Sequence, residues 1–187
     1  GGVFLTSIDV FFSTKDAAVP VTVQIRNTVN GYPGQKILPF SEKTLLPAAV
    51  NTSTDGTSAT TFTFDSPVYI QNNVEHCFVV MANSQDYNAY VARIGETSLD
   101  SNRTISAQPY AGVLFKSQNG MTWSAEQNED MKFKLRRAEF SQVTGTVTLT
   151  NDTLGTRTLK NNALRTTNGS KVIRVFHPNH GMHGTSN

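Results

Sequence analysis

Apolar and polar residues alternate along most of the first 140 residues. The clearest case is the segment 19–26, in which Val21, Val23 and Ile25 occupy every second position. Because successive side chains of a β-strand point to opposite faces, this alternation predicts strands with one buried and one wet face. Similar strand-like segments recur at 4–12, 36–46, 58–64, 74–81, 87–94, 112–116 and 131–137.

Turn-forming residues separate these segments. Asn30 to Gly34 is a dense turn signal, and the run Asp65-Ser66-Pro67 is expected to end the fourth strand. The segment 124–130 is expected to form only a single short turn. Eight or nine short strands at this spacing predict an all-β, antiparallel β-sandwich, and a jelly-roll-like arrangement is favoured.

The alternation weakens after residue 140. Ser141 to Thr150 is rich in threonine and has almost no bulky apolar residues, and the last strand-like segment is 171–176. Residues 1–140 are therefore expected to form the jelly-roll β-sandwich. Residues 141–187 are expected to form an extended, β-rich connector and the first strands of a following module, with too little apolar surface for a core of their own. We expect the whole sequence to be a segment of a longer polypeptide.

The composition supports a folded β protein and narrows the range of partners. Hydrophobic residues make up 37% of the chain and charged residues only 16%, against a typical charged share of about 25%. The net charge is +2, and the densest basic run, Lys132 to Arg137, alternates with apolar residues. That run predicts a strand with one wet face, so no nucleic-acid partner is expected. No apolar run approaches the ~20 residues of a membrane-spanning helix, so no membrane partner is expected either.

The sequence contains no enzyme signature that we could identify. It has no phosphate-binding glycine loop, no nucleophile elbow and no zinc-protease motif, so we expect no enzymatic activity and no cofactor. The lone Cys77 is expected to be a small core residue. Glu126, Glu129 and Asp130 lie close together in the sequence and are expected to form a solvated turn.

Three histidines near the end of the sequence form the clearest candidate for a metal site. His177, His180 and His183 are spaced three residues apart, and imidazole nitrogen is a good ligand for zinc and similar ions. Pro178 and Gly181 argue against the helix that would align the three rings. A tight turn with partly packed imidazoles is the simpler interpretation, and a metal site is the alternative.

Aromatic residues offer a second candidate site. Tyr87, Tyr90, Tyr110 and Trp123 could form a platform on which sugar rings stack. Core packing is the simpler role, particularly for Trp123, which follows a predicted hairpin turn.

Several segments together resemble the virion structural proteins of T4-like tailed phages, in particular baseplate wedge proteins of marine cyanophages. These segments are GVFLTSIDVFFS (2–13), PVTVQIR (20–26), NGYPG (30–34), SPVYI (66–70), QPYAGVLFKSQNGMTW (108–123) and NHGMH (179–183). The resemblance implies a jelly-roll module within a much longer baseplate protein, with neighbouring virion subunits as partners. It implies no catalytic residues.

These observations lead to two hypotheses about function. The first is a non-enzymatic structural module of a phage tail baseplate, assembled in the host cytoplasm and located in the virion, which mediates contacts between subunits. The alternative is a carbohydrate-binding β-sandwich, on a phage adhesin or beside a glycan-degrading enzyme, with a glycan as its ligand.

Overall fold

The computed structural model describes residues 1–99, 101–107, 112–141, 144–146, 148 and 158–178. The chain divides into two compact units, Gly1–Ser141 (unit 1) and Gln142–Asn187 (unit 2). In the described ranges regular structure consists of β-strands and one turn of 3-10 helix, Pro47–Ala49, and no helix there is long and apolar enough to cross a membrane. The strands of unit 1 are β1 (Gly2–Thr14), β2 (Val21–Val29), β3 (Tyr32–Leu45), β4 (Ala59–Gln71), β5 (His76–Ala82), β6 (Asn88–Ala89), β7 (Val91–Arg93), β8 (Leu114–Lys116), β9 (Ser124–Glu126), β10 (Glu129–Met131) and β11 (Phe133–Arg137).

Two main sheets make up most of unit 1. The first has the strand order β11-β1-β4, with β6 paired to the end of β1, and the second has the order β3-β2-β5. The short strands form two further pairs, β7 with β10 and β8 with β9, and every strand pair is antiparallel. The expected all-β, antiparallel fold is therefore confirmed, while the finer jelly-roll arrangement stays a prediction.

The two main sheets pack face to face around one apolar core. The alternation seen in the sequence places every second side chain of β1, β2 and β4 between the sheets, as expected for a sandwich. The buried cluster consists of Ile8, Val10, Phe12, Val21, Val23, Ile25, Val50, Phe62, Phe64 and Val68.

The outer face of β1 is also buried, although it lies away from this core. Asp9 is fully buried there, and Arg136 donates to its Oδ2 at 2.8 Å while Thr61 donates to its Oδ1 at 2.7 Å. The Lys132 and Lys134 ammonium groups lie 4.9 and 5.8 Å from the centre of the Phe11 ring. Lys132, Lys134 and Arg136 lie on the face of 131–137 that the sequence predicted to be wet. Their side chains therefore cover the outer face of β1.

Two boundaries differ from the sequence expectation. The run Asp65 to Pro67 does not end the fourth strand, because β4 continues from Ala59 to Gln71. The register against β1 shifts between Leu5 and Ser7, so that four residues of β4 (64–67) lie opposite the single residue Thr6. A bulge of this kind accommodates a proline that cannot donate to a regular ladder. The segment 124–130 is not a single turn either, because it holds β9 and the start of β10.

The described part of unit 2 contains one hairpin. Its strands are β12 (Leu164–Thr166) and β13 (Ile173–Val175), and they pair antiparallel. Ile173 and Val175 are each more than half exposed, as are their neighbours Val172 and Phe176. Among the described residues of this unit only Ala163 is buried.

We expect Phe62→Ala to destabilise the chain by about 3–5 kcal/mol, because it would leave a cavity where a fully buried ring now fills the centre of the sandwich. Denaturant unfolding followed by circular dichroism would measure this. The matched control is Phe140→Ala, which truncates a ring that is 71% exposed and should change stability much less. Equal effects of the two substitutions would contradict the placement of the core.

Candidate functional site

A groove of about 970 Å³ runs along one side of unit 1, between β5 and β11. These strands are the outer strands of the two main sheets, and the rings of Phe78 and Phe133 meet across the gap with their centres 4.9 Å apart. On the opposite side of the sandwich, β3 and β4 lie against each other, and Lys43 and Asp65 form an ion pair of 2.6 Å between them. Among the described residues of unit 1, the sandwich is therefore closed on one side and open along β5 and β11.

The lining of the groove is mainly apolar. Phe78, Val80 and Met131 pack partly against the core, whereas Val113 and Leu135 are 55% and 49% exposed. The charged side chains that also line it have both signs, namely Glu75, Asp130 and Lys134. Such a lining favours an uncharged, apolar ligand in the centre of the groove.

Six consecutive residues, 75–80, line this groove. Because neighbouring side chains of a strand point to opposite faces, a surface that contacts all of them must pass along the edge of β5. The groove therefore exposes the backbone of an outer strand as well as its side chains.

Trp123 lines the groove and directly precedes β9 in the β8–β9 hairpin. The turn before it is held by Asn119, whose Oδ1 accepts from the backbone N–H groups of Met121 and Thr122 at 2.9 and 2.7 Å. Gly120 has a φ of 67°, a conformation that glycine adopts without strain. The indole ring borders the groove, but its Nε1 is buried and has no hydrogen-bond partner among the described residues.

Glu129 on β10 links β7 and β8 beside the groove through ion pairs. It is buried, and its carboxylate accepts from the guanidinium of Arg93 on β7 and from the ammonium of Lys116 on β8. The hydrogen bonds from Lys116 and Arg93 hold the pKa of Glu129 below its usual range. The expectation of a solvated turn is therefore wrong for Glu129, because two cations from neighbouring strands enclose its carboxylate.

The groove also contains Cys77, which was expected in the core. The thiol is half-buried, and its nearest polar contacts are the Arg26 and Asn27 carbonyl oxygens at 3.8 Å. Burial raises the pKa of the Cys77 thiol, so the protonated form prevails at neutral pH. This environment does not activate a nucleophile.

Two tyrosines of the predicted sugar platform use their hydroxyl groups on the backbone. The Tyr87 hydroxyl donates to the Val19 carbonyl at 2.5 Å, and its ring packs edge-on against Phe12. The Tyr90 hydroxyl donates to the Ser53 carbonyl at 2.5 Å. Of the candidate rings that are described, Trp123 lines the groove and these two tyrosines do not; Tyr110 lies outside the described residues.

A different set of rings comes together on the surface of unit 1, and sequence reasoning missed it. Phe4 and Tyr69 are cross-strand partners on β1 and β4, with ring centres 5.2 Å apart, and Phe140 packs edge-on against Phe4 at 5.4 Å. All three rings are at least 36% exposed. Only the register of β1 against β4 could have indicated this cluster.

The predicted metal site can be followed only at one residue. The Nδ1 atom of His177 is buried without a hydrogen-bond partner among the described residues, and His180 and His183 lie outside them. Within the described part of the chain, no three His, Cys, Asp or Glu side chains are grouped so that they could hold a metal ion.

Comparisons with known proteins found no family model, no curated protein and no solved structure that matches this chain.

Glu129→Gln should lower the thermal stability of the chain at pH 7, because it removes the charge that pairs with Lys116 and Arg93. The pKa of Glu129 is lowered in the folded state, so its stabilising effect is present above the ordinary value of 4.5 and is lost as the pH falls through the folded pKa. The difference in melting temperature between variant and parent should therefore shrink in acid. Glu126→Gln is the matched control, since Glu126 makes only a longer, 3.7 Å contact with Lys116. A difference that does not change with pH would contradict the ion-pair explanation.

Proposed function

We propose that this chain is a non-enzymatic structural module of a phage tail baseplate, in which it holds neighbouring virion subunits together. The observation that carries the proposal is the apolar groove along the open sheet edges of β5 and β11. A contact between subunits needs an apolar centre with a polar rim, and edge strands are sites at which a second chain can pair. The resemblance of the sequence to baseplate wedge proteins supplies the location.

The low charge of the chain fits this role. Few charged groups would have to be desolvated when the surface is covered, and the hydroxyl and amide groups that replace them can form hydrogen bonds to a neighbour. The proposed partners are other proteins of the virion.

An antibody raised against the whole chain should label the baseplate end of the tail in purified T4-like cyanophage particles. Immunogold electron microscopy would measure this, and the same serum absorbed with the purified chain is the control. Label that stays in the unassembled fraction of the lysate, with none on the tails, would contradict the proposal.

Carbohydrate binding is kept as a second candidate because of the exposed cluster of Phe4, Tyr69 and Phe140. Two of these rings, Phe4 and Phe140, line a shallow depression together with Arg137 and Glu139, whose polar groups could bond to sugar hydroxyls.

If this second function is correct, a glycan array should show binding that Tyr69→Ala weakens, because the substitution removes a ring on which a sugar could stack. Tyr32→Ala is the control, since Tyr32 is similarly exposed but belongs to a different ring pair, with Phe115. An array without any bound glycan would remove this candidate.

A further inference from the structure

We propose that the groove between β5 and β11 binds an extended, apolar strand of another polypeptide, and that this strand adds to the open edge of β5. The inference rests on the proposed function and deepens it, because it names the kind of partner segment that the structural module would hold.

The backbone of β5 is the first part of the argument. β5 pairs with β2 over seven consecutive residue pairs, from Asn27↔His76 to Val21↔Ala82, and no described residue pairs with its other side. In an antiparallel strand, every second residue directs its N–H and C=O groups away from the neighbouring strand. Residues 76–80 of β5 line the groove, so a strand added there would satisfy these outward groups.

The shape of the groove is the second part. It follows residues 75–80 without a break, and these include the first five of the seven residues of β5. At about 3.3 Å per residue, a segment of roughly seven residues would cover the whole edge. A ligand that lay on only one face of the sheet would contact every second residue of β5, not a consecutive run.

The side chains that line the groove are the third part of the argument, and they indicate which kind of segment would bind. Every second side chain of an added strand would point toward the apolar wall formed by Phe78, Val80 and Leu135. An acyl chain would cover the apolar wall but would leave the backbone groups of β5 without partners. The contacts therefore favour a peptide strand over a lipid.

The test uses the full chain and a fluorescein-labelled peptide, acetyl-KVTVTVTVK-amide, which alternates apolar and polar side chains. Fluorescence anisotropy should report saturable binding. Emission of Trp123, the only tryptophan of the chain, should shift on addition of the unlabelled peptide. The control peptide acetyl-KVTPTPTVK-amide is similarly apolar but lacks two central N–H groups, and it should not bind.

Protein variants locate the contact. Leu135→Lys and Val113→Lys each place a charge at a groove position that is about half exposed, and each should weaken binding at least about tenfold. Leu99→Lys is the matched control, because Leu99 is 70% exposed and does not line the groove, and it should bind as the parent does.

Several outcomes would overturn the inference: no binding of the alternating peptide, equal binding of the proline peptide, or undiminished binding by both groove variants. Saturable binding of dodecanoic acid without any binding of the peptide would also overturn it, in favour of an acyl ligand. The virion labelling described above is independent of this assay. Unlabelled tails together with a bound peptide would reject the baseplate role alone, whereas labelled tails without peptide binding would reject only the strand addition.

Discussion

Every β-sheet that does not close on itself leaves backbone groups without partners at its two edges, and this constraint governs unit 1. Its two main sheets are narrow, so four outer strands surround one core. On one side β3 and β4 lie together, and the bulge of β4 at residues 64–67, with Pro67 in it, interrupts the edge. On the other side no described residue pairs with the outer edges of β5 and β11, and the groove lies between these strands. The candidate site is thus the place where the fold leaves its backbone pairing incomplete.

Long basic side chains let β1, the central strand of the first sheet, bury both of its faces without a third layer. Arg136 reaches back to Asp9, and Lys132 and Lys134 lie over the ring of Phe11. The aliphatic parts of these side chains cover apolar surface, while their charged ends stay near water or a carboxylate. Most of the basic run is therefore used in the packing of unit 1.

Local patterns predicted the strands well and the site poorly. The alternation around Val21, Val23 and Ile25 gave the correct buried face, because the direction of a side chain on a strand depends only on its position in the chain. The groove combines Phe78, Trp123 and Leu135, which are far apart in sequence and meet only through strand order. Tyr87 and Tyr90 use their hydroxyls on backbone carbonyls, and Phe4 lies beside Tyr69 because of the register between β1 and β4; neither contact can be read from a local pattern.

The sequence by itself determined that the chain forms antiparallel strands, which of their side chains face the apolar core, and that the chain carries little charge. These properties follow from the two-residue period of a strand and from composition, and both are local. Only the tertiary structure decided that β4 continues through Pro67, that Glu129 is enclosed by Lys116 and Arg93, and that β5 keeps an open edge beside Trp123. The reason is that pairing between distant strands is set by the whole arrangement of sheets, and no short segment contains that information.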